Sequence, residues 1–191
     1  MVTGNVDWRK QADILLSMVD CLVLDNEAVY ASSEFTTGKT FYDLCVEFNV
    51  FTSEDLKKAL GTDYKMRLLD PNKEKGIRFA RKLRDLGHPV VLTPNPLYVP
   101  SWGQPEYLSF WKEILLKKSS AVYFNEGWEY SNGCTFEYDV ALNAGLRLFD
   151  HNSQQLTPPI AKGLIGKAIE GLESKRLGFD IKSLKQAYEQ G

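Results

Sequence analysis

Apolar positions along the chain recur in two rhythms, and their alternation predicts the elements. Residues 1–12 read as a lead-in or short helix, with Ile14, Leu15, Leu16, Met18 and Val19 forming its apolar side. Cys21-Leu22-Val23-Leu24 reads as a buried strand ending at Asp25. A polar loop over 32–38 follows, and Phe41, Leu44, Cys45 and Phe48 then recur at helical spacing over 39–49. Ser53-Glu54-Asp55 opens a helix over 54–60 that stops near Gly61.

Met66 to Leu69 reads as a short strand closed by Asp70-Pro71. Ile77, Phe79, Ala80, Leu83 and Leu86 mark an amphipathic helix over 72–86, ended by Gly87. Pro89 to Leu92 then reads as a strand, so that 66–92 make one βαβ unit. Pro94, Pro96, Pro100 and Pro105 stiffen an aromatic-rich loop containing Asn95, Tyr98 and Trp102. That loop is either a packed connection or a wall of a pocket in which Tyr98 or Trp102 stacks on a flat ligand. A helix over 106–118, a strand over 121–124, a helix to about Asn143 and a strand over 146–149 repeat the pattern. The expected fold is α/β, with a mostly parallel sheet flanked by helices in a Rossmann-like or flavodoxin-like three-layer architecture. It is expected as one domain over 1–191, with an extra strand–helix region over 1–61, a core over 66–149 and a helical segment over 150–191.

Composition narrows the function more than the fold. The chain is 43% hydrophobic with a net charge of -2, so no broad basic field for nucleic acid is present. Three cysteines, at 21, 45 and 134, lack metal or redox spacing and read as reduced thiols of a cytoplasmic protein. No apolar run is long enough to span a membrane, and no signal peptide is visible. No metal or other cofactor is expected. There is no GxGxxG and no GxxxxGK[ST].

The stretch Gly127 to Ala141 carries the candidate chemistry. It reads as a strand, a polar loop and then a helix with Glu137 near its start, the usual ligand position in an α/β protein. Free N–H groups at the helix start attract anions. Ser131 is either a helix cap or a ligand contact, Gly133 either a turn residue or room for a ligand. Cys134 carries either an acidified thiol or simple filling.

Gly127-Trp128-Glu129, Ser131, Gly133, Glu137, Ala141 and Gly145 resemble the nucleoside 2-deoxyribosyltransferase-like superfamily. The family includes deoxyribosyltransferases, nucleoside 5'-monophosphate N-glycosidases and small, often phage-encoded relatives. The resemblance implies that Glu137 is the nucleophile or essential carboxylate at an anomeric carbon. It implies that Ser131 and the amides around Gly133 hold a 5'-phosphate or 5'-hydroxyl. Trp128 and Glu129 match the small relatives, and with Asn95, Tyr98 and Trp102 they complete the expected substrate contacts. The family commonly has an Asp just before the motif's strand, where this chain has Ser119-Ser120. Asp70 is the candidate second carboxylate, its other reading being a helix-starting turn. Asp25, Glu27, Ser33 and Glu34 either complete this site, or a neighbour's in a homodimer, or simply line a solvated polar loop. The expected partner is a small nucleoside or nucleotide. Hydrolysis and base exchange both remain open, as does a non-catalytic nucleotide-binding or interaction domain.

Overall fold

A computed structural model describes residues 7–175 and 178–190; the first six residues of the expected lead-in lie outside them. Four parallel strands form one sheet: β1 (Ala28–Ser32), β2 (Val91–Leu92), β3 (Ser119–Phe124) and β4 (Arg147–Phe149), in the order β2-β1-β3-β4. Among the described residues the helices are α1 (Trp8–Leu22), α2 (Lys39–Phe48), α3 (Ser53–Leu60), α4 (Asp70–Asp85), α5 (Gln104–Lys118), α6 (Asn132–Asn143), α7 (Pro158–Ser174) and α8 (Lys182–Gln190). None is long and apolar enough to cross a membrane.

Strand alternation sorts the core into two faces. Val29, Ala31, Val91, Ala121 and Tyr123 meet Phe79, Ala80 and Leu83 of α4 on one face. Tyr30, Val122, Phe124 and Leu148 belong to the larger cluster on the other, with Leu115, Tyr138 and Ala141. Ala161, Ile165 and Leu184 extend that cluster, so α7 and α8 cover the sheet's helical layer.

Two expected strands do not form. Cys21 and Leu22 finish α1, because Ala12, Leu15, Leu16 and Val19 keep a helical stripe running through them. A short apolar run is compatible with either element, and here the longer periodicity wins. Cys21, Leu22 and Leu24 are exposed, whereas all five residues of β1 are buried. Lys118, itself buried, fixes the turn between α1 and β1 by bonding Asp20 (2.8 Å), Asp25 (2.6 Å) and the Val23 carbonyl (2.8 Å).

Met66–Leu69 lies in a π-helical turn, Lys65–Leu69, that runs directly into α4. The helical run continues through Pro71, which has no N–H to give, and the wider π turn just before it is where the α-helical bonding is interrupted. Leu68 is buried and Met66 exposed, and neither pairs with a strand among the described residues. The 66–92 segment is therefore a helix followed by a strand, and the parallel neighbour of β2 is β1, 59 residues and three helices earlier.

Candidate functional site

The site is built where β1 and β3 end side by side. Their ladder pairs Ser32 with Phe124, and the Asn125 N–H extends it by donating to the Ser32 carbonyl at 3.0 Å. β1 has β2 on one side and β3 on the other, so the chain leaves these two neighbours toward different parts of the molecule. A crevice beyond such strand ends is the general ligand position in open α/β sheets.

Glu137 sits in the second turn of α6 and is buried, with 7% of its surface exposed. Tyr30 Oη donates to its Oε1 at 2.7 Å, and Ser32 Oγ donates to its Oε2 at 2.6 Å. Residues two apart on a strand share a face, so β1 presents both hydroxyls together. Burial raises the Glu137 carboxyl to about 7, against the lowering effect of the Ser32 and Tyr30 bonds. The result is a carboxylate whose protonation changes near neutrality, a property concentrated at functional sites. Burial and the neighbouring Glu137 push the Cys134 thiol up, which corrects the idea of an acidified thiol: the helix start is outweighed by the loss of water.

Ser131 caps α6, its Oγ accepting from Cys134 N at 3.3 Å. Thr37 Oγ1 accepts from Asn132 N at 3.1 Å and lies 3.4 Å from Ser131 Oγ. The loop between β1 and α2 therefore binds the start of α6 directly. A side-chain Cβ at Gly133 would stand 3.8 Å from Ser131 Oγ, an ordinary contact, so packing does not demand glycine there.

Glu34, in the same loop, is a second buried carboxylate, 3% exposed. Lys75 of α4 donates to its Oε1 at 2.8 Å and to the Glu126 carbonyl at 2.7 Å, tying α4 to both strand-end loops. Asn125 Nδ2 donates to Ser33 Oγ at 3.1 Å. Asn95 donates to the Asn72 carbonyl, and Asn72 donates to the Phe35 carbonyl, so Asn95 supports the loop from behind.

Sequence-predicted residues thus separate into groups. Glu137, Ser131 and Gly133 share the start of α6, and Glu129 is half-buried nearby, its carboxyl raised by burial. Trp128 is a core residue, its ring 4.7 Å from Phe124 and 5.1 Å from Tyr138. Trp102 packs on Phe110 and Tyr107, and its Nε1 donates to Gln11 of α1, which leaves no free face for stacking. Tyr98 is 77% exposed. Asp70 is a surface residue at the start of α4, bonded to Lys65 Nζ at 2.6 and 2.7 Å. Asp25 and Glu27 precede β1 and lie at its opposite end from Ser33 and Glu34. Tyr30, Ser32, Thr37 and Lys75 complete the cluster without having been singled out. Their signal is weak in one sequence, because β1 is short, rich in small residues and distant from the motif it supports.

Fold and geometry together define a parallel α/β domain with a clasped carboxylate at the ends of two neighbouring strands. Residues 67–150 match a domain of unknown function, DUF4406. No curated protein and no solved structure matches the chain. The matched region carries Glu137, Ser131 and Lys75, whereas Tyr30, Ser32, Glu34 and Thr37 come from outside it.

Proposed function

We propose that this protein cleaves or exchanges the N-glycosidic bond of a deoxynucleoside or a (deoxy)nucleoside 5'-monophosphate. Glu137 is the nucleophile or essential carboxylate. The carrying observation is the pair of hydroxyls, Tyr30 and Ser32, that hold both oxygens of a buried carboxylate titrating near neutrality. An N-glycosidic bond breaks through an oxocarbenium-like state, which a fixed anion stabilises or captures covalently. The two hydroxyls would orient the carboxylate and keep part of the site ionised at neutral pH. Hydrolysis follows if water takes the vacated position, and exchange follows if a second base does.

The finer architecture belongs to the same proposal. The parallel sheet order β2-β1-β3-β4, with α4 against one face and α5 and α6 on the other, supports a flavodoxin-like three-layer fold. The homodimer and a cytoplasmic setting also remain expectations, and sedimentation velocity of the full chain decides the first.

A second reading has its own support. Each Glu137 oxygen accepts a hydroxyl of the chain itself, and Asn132 N and Cys134 N are bonded internally. In that reading Glu137 clasps α6 to β1 in a non-catalytic nucleotide-binding domain. Incubation with a panel of nucleosides and 5'-monophosphates, followed by chromatography for released base, separates the two. Base release that is lost in Glu137→Gln supports catalysis. Ligand binding without release in any case supports the second reading.

A further inference from the structure

The starts of α2 and α6 are linked through Thr37, and a carboxylate of the chain lies against the first of them. Helix α2 begins after Gly38, which supplies no side-chain cap, and α6 begins after Ser131. Thr37 joins them through Asn132 N. Glu34 lies against this junction: a Cβ on Gly38 would come 1.9 Å from its Oε2. Gly38 has φ 139°, so both its backbone and the carboxylate exclude a larger residue.

Glu34 Oε1 is held by Lys75, but Oε2 is buried and has no hydrogen-bond partner among the described residues. A buried oxygen of this kind calls for a donor. Gly127 borders it, since a Cβ there would be in ordinary contact, 4.0 Å from Oε2 and 3.7 Å from Lys75 Nζ. Lys75 is already committed to Glu34 and to the Glu126 carbonyl.

Resting on the nucleoside reading above, we propose that Glu34 makes the site selective for a substrate with an uncharged 5' end. The chemical class is the free nucleoside, whose 5'-hydroxyl donates to Glu34 Oε2. A phosphate has mainly acceptor oxygens at neutral pH, so it would set an acceptor against the Glu34 Oε2 acceptor and supply no donor to it. A hydroxyl supplies the donor that Oε2 lacks. Like charges placed together discriminate strongly between ligands that otherwise share their contacts.

The test has two arms on the full chain. In the first, inorganic phosphate is titrated at constant ionic strength and followed by amide chemical shifts and melting temperature. Wild type is expected to show no saturable shift at Thr37 or Asn132, whereas Glu34→Gln and Glu34→Ser gain one. Saturable phosphate binding at those amides in wild type overturns the proposal, and that result requires no variant to fold. In the second arm, one nucleoside and its 5'-monophosphate are compared by binding and base release. Wild type is expected to favour the nucleoside by about tenfold or more, and Glu34→Gln to reduce that preference. Equal use of both ligands by wild type, unchanged in the variant, overturns it. If wild type binds neither ligand, the nucleoside reading fails. The phosphate arm then still decides whether Glu34 occupies an anion position.

Discussion

Tyr30 Oη and Glu137 Oε1 lie 2.7 Å apart across 107 residues of chain. That bond connects β1, outside the matched domain region, to the helix that carries the candidate carboxylate.

Removing the carboxylate tests its role most directly. Glu137→Gln should reduce base release by about a hundredfold or more while keeping the shape of the clasp. Glu137→Ala should do the same and also lower stability by about 1–3 kcal/mol, because the Tyr30 and Ser32 hydroxyls lose their buried acceptor. Chromatographic turnover and thermal melting separate the two effects. A Glu137→Gln enzyme as active as wild type removes Glu137 from the chemistry.

The raised Glu137 carboxyl makes stability and activity move oppositely with pH. The folded protein holds this proton up to about 7, whereas an unfolded glutamate releases it near its ordinary value. Between those values the folded state binds more protons, so stability falls as pH rises through that window. The loss from this group is on the order of a few kcal/mol. Melting temperature should therefore drop more steeply between pH 5 and 7, as approximate limits, in wild type than in Glu137→Gln. Activity that uses the ionised carboxylate should rise over the same interval. Parallel melting profiles for the two proteins would show that Glu137 does not carry this proton.

Tyr30→Phe and Ser32→Ala each remove one hydroxyl that favours the charged carboxylate. Either change should move the midpoint of the activity profile above the wild-type value. Each should also cost about 1–3 kcal/mol in stability at alkaline pH, where the bond is charge-assisted. A profile that keeps its midpoint while activity drops would assign the hydroxyls a positioning role alone.

Asn95 and Gly76 form a packing pair that can be tested by a double-mutant cycle. A Cβ at Gly76 would come 1.5 Å from Asn95 Nδ2, so Gly76→Ala must displace the amide and its bond to the Asn72 carbonyl. A loss of about 1–3 kcal/mol is expected for Gly76→Ala alone. Asn95→Ala should relieve part of it, giving a non-additive double variant in denaturant unfolding. Strict additivity would mean that the two positions do not meet.

Much of the fold was legible because amphipathic repeats report burial directly. Helices over 39–49, 72–86 and 106–118 follow from their spacing, and the structure has α2, α4 and α5 there. The strand–loop–helix order around Glu137 is also local, carried by Ala121 to Phe124, Gly127 and the polar start of α6. The misassigned strands had short apolar runs inside longer helical stripes. Local propensity could not arbitrate them, and among the described residues neither run pairs with a strand.

The sequence by itself determined the α/β alternation and the strand–loop–helix order that puts Glu137 near a helix start. Only the tertiary structure decided that β1 is Ala28–Ser32, that Tyr30 and Ser32 clasp Glu137, and that Glu34 rather than Asp70 stands beside the strand ends. The reason is physical. Periodicity records which face of an element is buried, but strand order decides which distant faces meet. A carboxyl's proton affinity then depends on those meetings, through burial and through the hydroxyls that β1 brings to it.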